Sequence, residues 1–166
     1  DLSKVIKTLN QSLPLINSAD MPSDLSGAIC ESLGNYLNKD NEAALMYTSG
    51  TTGNPKGCIL SNRFFINAGR WYLEAGGKMA IKPGKERLLN PLPLYHANAL
   101  AISSMAMLMS GGCIIMIDRF HPKTWWKDAF LSKATIIHYL GVMPPLLLNQ
   151  EEGEYDNSHR IKFGAG

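Results

Sequence analysis

The chain has 166 residues, of which 45% are hydrophobic and 18% are charged, and its formal net charge is +2. A chain of this length can form a globular domain whose core needs no disulfide or metal. The composition excludes a disordered or fibrous protein, and so small a net charge argues against a surface built mainly to bind nucleic acid or anionic lipid.

The cysteines indicate a reducing compartment. Cys30, Cys58 and Cys113 are far apart, form no C-x-x-C pair and have no histidine at metal-ligand spacing. This pattern argues against a disulfide framework or a zinc site and predicts a cytoplasmic protein. Cys58 and Cys113 lie in apolar runs, which predicts that both are small core residues.

The first forty residues predict a helix over 2–11, a strand over 13–17 and then a polar loop. Residues 43–47 form an apolar run, which predicts a buried strand. Ser61 is placed to cap a helix that continues to about Gly76 and carries aromatic side chains on one side.

Residues 97–117 form a run of 21 residues without a charge, which is long enough to cross a bilayer. Two interpretations fit this run. Either it spans a membrane, or a helix over 97–109 ends at Gly111 and Gly112 and is followed by a buried strand over 113–117. The change from Met, Ala and Leu to Ile across the glycines favours the second interpretation, so we expect no membrane span.

Short apolar runs and helical patterns alternate to the end of the chain. After a proline-rich extended segment at 88–94, they predict a helix over 122–131, a strand over 134–139, a helix over 144–150 and a strand over 161–163. This order predicts an α/β fold with a mostly parallel sheet and helices on both faces.

Residues 47–57, with the sequence YTSGTTGNPKG, carry the main functional signal. They place four Ser or Thr hydroxyls, three glycines and one lysine directly after a predicted strand. Glycines let backbone N–H groups approach a phosphate, hydroxyls donate hydrogen bonds and the lysine supplies charge. The spacing is not that of a Walker A loop, of G-x-G-x-x-G or of a G-x-S-x-G nucleophile turn. From residue types alone, a phosphate-binding loop and a flexible surface loop with one solvated lysine both remain open.

The same string resembles the phosphate-binding loop of the adenylate-forming enzymes, which include acyl-CoA synthetases, luciferases and peptide-synthetase adenylation domains. The family pattern, (Y/F)-(T/S)-(S/T)-G-(S/T)-T-G-x-P-K-G, is met at every position. Two further segments are similar to family motifs: PLPLYHAN at 91–98 and FGAG at 163–166. The resemblance implies that the chain is a partial fragment of the large N-terminal domain of such an enzyme. Residues 1–41 would be a helix, strand and connecting segment, 42–166 would carry the phosphate loop, and the C-terminal domain would be absent.

The resemblance implies an acyl-CoA ligase that acts on a small carboxylic acid with ATP, Mg²⁺ and coenzyme A. Lys56 and His96 are the implied catalytic residues, with Lys56 on the phosphates and His96 beside the acyl carboxylate. Thr48 is the implied Mg²⁺ contact. The implied nucleotide-binding residues are Thr48, Ser49, Gly50, Thr51, Thr52, Gly53, Asn54, Pro55, Lys56, Gly164, Ala165 and Gly166.

The histidines divide into two groups. His96 remains open between the acyl site and a hydrogen-bonded structural position, because a lone histidine beside a tyrosine suits both. His121, His138 and His159 match no family motif, so we expect them to be structural or surface residues.

The resemblance also implies that several family elements lie beyond Gly166, including a ribose-binding aspartate and a mobile C-terminal domain with a catalytic lysine. We therefore expect the parent protein to be the ligase and the isolated chain to be inactive. A non-catalytic nucleotide-binding or scaffold module is the alternative. The acceptor thiol is open between CoA and a carrier protein, and apolar surface exposed by truncation would favour self-association.

Overall fold

The computed structural model describes residues 38–48 and 53–166. The elements predicted within residues 2–17, Cys30 and the loop residues Ser49, Gly50, Thr51 and Thr52 lie outside the described residues.

A two-stranded antiparallel ribbon opens the described part of the chain. Its strands are β1 (Glu42–Thr48) and β2 (Lys56–Ser61), and their register places Thr48 opposite Lys56. The strand predicted at 43–47 is therefore confirmed. The second strand was not predicted from the sequence, because its Lys-Gly start carries no strand-like alternation.

The ribbon is not buried, contrary to the prediction. Leu45 and its partner Ile59 are 56% and 62% exposed, and Tyr47 is also exposed. Cys58 is exposed as well, so the prediction of a core thiol there is wrong. An apolar run predicts burial only where another layer covers it, and no described element covers the side chains of Leu45, Tyr47 and Ile59.

The next helix, α1 (Asn62–Glu74), confirms the element predicted after Ser61. The Ser61 hydroxyl accepts a hydrogen bond from the backbone N–H of Phe64 at 3.4 Å, which satisfies one of the free donors of the first turn. The face of α1 that turns inward carries Gly69 and Tyr72, both of which are buried. Trp71, on the neighbouring face, is exposed.

Four parallel strands form the central sheet, in the order β4-β3-β5-β6. They are β3 (Arg87–Asn90), β4 (Cys113–Met116), β5 (Ile136–His138) and β6 (Phe163–Ala165). The mostly parallel sheet is confirmed. The last strand begins and ends two residues later than predicted. Its pairing with β5 runs through Gly164, which has no apolar side chain to indicate a strand.

The helices that accompany the sheet also match the prediction. A π-helical segment (Asn98–Ser103) leads directly into α2 (Ser104–Ser110), which Gly111 ends with a left-handed backbone of φ +66°. Two further helices follow, α3 (Trp125–Leu131) and α4 (Met143–Leu148). Of the helices in the described ranges, none has the length and apolar character needed to cross a membrane.

Helices cover both faces of the sheet, as predicted. Alternate residues of β3 point to opposite faces, so Leu88 and Leu89, both fully buried, enter two separate cores. Leu88 packs with Tyr72 and Met107 of α1 and α2. Leu89 packs with Trp125 and other residues of α3 and α4. The chain therefore has the layered α/β architecture that its sequence predicts.

A buried carboxylate joins three strands at the amino end of the sheet. Glu86 accepts hydrogen bonds from Lys162 Nζ at 2.7 Å and from the Thr135 hydroxyl at 2.6 Å. Burial by itself raises the pKa of Glu86, but the hydrogen bonds from Lys162 and Thr135 outweigh burial and hold this pKa below its usual value. The ionised carboxylate thus ties the segment before β3 to the segments before β5 and β6.

Candidate functional site

The open end of the ribbon carries the described part of the predicted phosphate loop. The Thr48 hydroxyl donates to the backbone oxygen of Lys56 at 3.4 Å, and both side chains are exposed. Gly53 has φ +92° and open space around the position of a Cβ atom, so glycine suits its backbone conformation there. Asn54 and Pro55 follow on the surface. This end of the ribbon therefore presents an ammonium group and a hydroxyl to solvent.

The segment after β3 places His96 at the carboxyl edge of the sheet. The side-chain oxygen of Asn90 accepts the Leu92 N–H at 2.8 Å, which turns the chain out of the strand. His96 donates its backbone N–H to Pro93 and accepts the Leu100 N–H with its carbonyl oxygen. The imidazole is exposed and lies 4.7 Å, centroid to centroid, from the ring of Tyr95.

The glycines of the terminal segment allow β6 to lie close to β5. A Cβ atom on Gly164 would come within 3.0 Å of Ile137 and 3.1 Å of Tyr139, and one on Gly166 would overlap the Tyr139 carbonyl oxygen. Ala165 accepts the Tyr139 N–H at 3.0 Å. The three predicted residues Gly164, Ala165 and Gly166 thus form a close-packed backbone at the edge of the sheet.

A buried polar network lies on the inner side of the segment that follows β3 and of the terminal segment 164–166. His138, at the end of β5, is only 2% exposed. Its Nε2 lies 2.8 Å from the Tyr72 hydroxyl, and its Nδ1 lies 2.8 Å from Asn98 Oδ1 and 2.9 Å from Ser103 Oγ. Asn90 completes the network by donating from Nδ2 to Ser103 Oγ at 2.6 Å.

Hydrogen-bond chemistry assigns the proton positions in this network. Burial lowers the pKa of His138 to about 4, so its imidazole is neutral near neutral pH. Burial also raises the pKa of Tyr72, which keeps its hydroxyl protonated. Because Asn98 Oδ1 can only accept, we assign the proton of His138 to Nδ1, and Tyr72 then donates to Nε2.

Sequence reasoning placed His138 among the structural or surface histidines, and the structure shows a buried one. It did not find the network. The sequence offered little signal, because Tyr72 and His138 are 66 residues apart and neither lies in a recognised motif.

A pocket of about 410 Å³ opens beside the network at the carboxyl ends of β5 and β6. Ligands of open α/β sheets characteristically bind at this edge. The pocket brings together Asn98, two residues after His96, and the terminal segment 164–166. Its lining consists of Trp71, Tyr72, Met79, Asn98, Ile102, His138, Tyr139, Gly164, Ala165 and Gly166.

The two predicted parts of the site are separate in the described chain. Within residues 38–48 and 53–166, no hydrogen bond or ion pair links Lys56 to His96 or to 164–166. The described ranges also contain no group of three His, Cys, Asp or Glu side chains that could hold a metal. At the ribbon end, Thr48 offers a single hydroxyl, which suits Mg²⁺ only where phosphates and waters supply the other oxygens.

Comparison with known proteins identifies the family to which this chain belongs. The family model "AMP-binding enzyme" matches residues 5–166, and the chain belongs to that family. The ATP-bound structure of MatB from Rhodopseudomonas palustris superimposes with a TM-score of 0.63 at 26% sequence identity, over 76% of this chain and 24% of that one.

Two curated relatives are identical to this chain at about a third of the aligned positions. A very long-chain fatty acid transport protein of Cochliobolus heterostrophus is 33% identical over 76% of this chain and 19% of its own length. A sulfoacetate–CoA ligase of Cupriavidus necator is 36% identical over 69% of this chain and 22% of its own length. The chain therefore spans about a fifth of the length of these relatives.

Proposed function

We propose that the full-length protein containing this chain is an ATP-dependent acyl-CoA ligase. In the first step a carboxylate oxygen attacks the α-phosphorus of ATP, the bond to the β-phosphate breaks, and acyl-adenylate and pyrophosphate form. In the second step the sulfur of coenzyme A attacks the acyl carbon and AMP leaves. The observation that carries the proposal is the complete phosphate-loop string at 47–57 in a chain that belongs to the AMP-binding enzymes.

The ribbon end is the proposed binding site of the β- and γ-phosphates. Lys56 would place its exposed ammonium on the leaving phosphates, where negative charge accumulates as pyrophosphate departs. Thr48 and the loop hydroxyls would donate further hydrogen bonds. Bound Mg²⁺ would neutralise phosphate charge, and Thr48 is the residue that would contribute a ligand oxygen.

The edge of the sheet is the proposed acyl and adenine side of the site. His96 would lie beside the acyl carboxylate, where it orients the acid and does not need to remove a proton, since a carboxylic acid is already ionised near neutral pH. The backbone at 164–166 would meet the adenine and the acyl group. The pocket beside this backbone would then receive the acyl group of a small-molecule acid.

Exchange of radioactive pyrophosphate into ATP by the full-length protein, across a panel of short and long carboxylic acids, tests the first step. Lys56→Ala should lower the exchange rate about 100-fold, the scale seen when one transition-state donor is removed. Lys127→Ala, an exposed lysine on α3, is the matched control and should leave the rate unchanged. Equal rates for the two variants would overturn the role of Lys56, and no exchange with any acid would overturn the proposal.

The isolated chain of 166 residues is proposed to be inactive, with residues 1–41 and 42–166 forming parts of one larger domain in a cytoplasmic protein. The same exchange assay on the isolated chain, with Lys56→Ala as the blank, separates the outcomes. Activity above the blank would contradict the proposal of inactivity. Nucleotide binding without exchange by the full-length protein would instead favour a non-catalytic binding module. Gel filtration of the isolated chain tests the proposed self-association.

A further inference from the structure

Strand β6 has little to fix its register within the described sheet. It has only three residues, Phe163–Ala165, and among the strands that the structure describes it pairs with β5 alone. A shift of one residue moves every side chain of a strand to the other face of the sheet. Because β6 leads directly into Gly166, its register decides where the backbone of 164–166 lies at the carboxyl edge.

Glu86 holds β6 from the amino edge of the sheet. Its side chain is fully buried, and its two carboxylate oxygens accept hydrogen bonds from Lys162 Nζ at 2.7 and 2.9 Å. Lys162 is the residue directly before β6, and its backbone N–H donates to the Thr135 carbonyl oxygen at 2.8 Å. In a β6 strand shifted by one residue, Ile161 or Phe163 would lie beside Thr135 instead, and the buried carboxylate would lose its cation.

The glycines at the other end of β6 require the same register. Gly164 lies opposite Ile137, where a Cβ atom would come within 3.0 Å of the Ile137 side chain. Gly166 approaches the Tyr139 carbonyl oxygen so closely that a Cβ atom would overlap it. A shift of one residue would bring the methyl group of Ala165 to one of these two positions, which have room only for glycine. The ion pair at the amino edge and the glycines at the carboxyl edge thus favour one register.

We infer that Glu86 and Lys162 are positioning residues for the nucleotide: their ion pair fixes the register of β6 and thereby sets the backbone of 164–166 at the opposite edge of the sheet. The inference rests on the proposed ligase function, which assigns this backbone to the adenine side of the site. Four residues of extended strand lead from Lys162 to Gly166, a distance of about 13 Å. The pair therefore acts through β6 and does not touch ATP.

Pyrophosphate exchange by the full-length protein tests this role through two Michaelis constants. Lys162→Met removes the cation at nearly equal side-chain length, and we expect it to raise KM for ATP about tenfold, the scale of one hydrogen bond to a charged group. KM for pyrophosphate should stay within about twofold of the wild-type value, because pyrophosphate would be held at the ribbon end. A pair that only stabilised the fold would lower the amount of active enzyme, and so the maximal rate, without changing either KM.

Three further variants separate the ion pair from other effects. Lys162→Arg keeps the charge and should bring KM for ATP back to within about threefold of the wild-type value. Lys127→Met, the same change at an exposed lysine on α3, is the matched control and should leave both constants unchanged. Ala129→Gly, a change at a buried residue of α3, should lower the free energy of unfolding but leave KM for ATP unchanged.

A double-mutant cycle tests whether the two residues act as one unit. Glu86→Gln alone should raise KM for ATP about tenfold, again the scale of one hydrogen bond to a charged group. Combined with Lys162→Met it should raise KM no further, since the same pair is already lost. A rise of about 100-fold in the double variant would contradict the shared role and overturn the inference.

Circular dichroism shows whether each variant folds, and if Lys162→Met does not fold, Glu86→Gln decides the matter through the same two constants. An unchanged KM for ATP in either folded variant, or an equal rise in KM for pyrophosphate, would overturn the inference while the ligase function stands. Exchange by the wild-type protein with no acid would defeat the proposed function and, with it, this inference.

Discussion

The β1–β2 ribbon and the four-stranded sheet belong to the same chain but are built in opposite ways. The ribbon has two antiparallel strands, and its large side chains Leu45 and Ile59 are more than half exposed. The sheet has four parallel strands, and its central pair of leucines, Leu88 and Leu89, is fully buried between helices. Two-stranded ribbons are marginally stable, whereas a sheet covered on both faces holds a core.

The difference in burial between the ribbon and the sheet agrees with the function proposed for each region. A phosphate loop must close around a large anion and release it, which suits a segment with few buried contacts. A pocket that is proposed to receive an acyl group must keep its shape, which suits a region with a buried hydrogen-bond network. Changes in the sheet should therefore reduce stability, and changes in the ribbon should reduce nucleotide binding.

The largest effect is expected in the core of the sheet. Leu89→Ala should lower the free energy of unfolding by about 3 kcal/mol, because it leaves a cavity against Trp125. Leu45→Ala, the same change in the ribbon, should cost less than about 1 kcal/mol, because its side chain already lies half in water. Urea unfolding measures both. Equal losses would contradict the exposed position of Leu45.

A smaller loss is expected at the amino end of the sheet. Glu86→Gln should cost about 2 kcal/mol at neutral pH, because it removes a buried charged hydrogen-bond acceptor for Lys162. The folded pKa of Glu86 lies below its ordinary value of 4.5. The stabilisation is therefore fully present above that pH and is lost as the pH falls through the folded pKa. The stability gap between wild type and variant should stay constant from pH 6 to 8 and narrow in acid; a gap that widens in acid would contradict this assignment.

The smallest change in stability is expected at the ribbon end. Thr48→Val should alter the free energy of unfolding by less than about 0.5 kcal/mol, because the side chain is exposed. It should nevertheless raise KM for ATP about tenfold, the scale of one hydrogen bond to a charged group. Thr124→Val, which removes a hydroxyl bonded to Asp128 at 2.9 Å beside the sheet, is the control and should leave KM for ATP unchanged. The two regions would not be functionally distinct if both variants changed KM equally.

Local patterns predicted most of the sheet and its helices. Ser61 and Gly111 mark a helix start and a helix end through their own chemistry, a side-chain acceptor and a left-handed backbone. The apolar run around Ile136 predicted a buried strand, because parallel strands are covered on both faces. Residues 88–94 were predicted only as an extended segment, and the structure shows a strand over Arg87–Asn90. The same rule failed for 43–47, where the run lies in a two-stranded ribbon with one face uncovered in the described chain.

The sequence by itself determined the family and the phosphate-loop string, because both are encoded in contiguous residues such as 47–57. It also determined the parallel sheet, through the alternation of short apolar runs with helical patterns. Only the tertiary structure decided that His138 is neutral and joined to Tyr72 and Asn98, 66 and 40 residues away. No local pattern encodes such a network, because its distances are set by the packing of α1 and the π-helical segment against the end of β5.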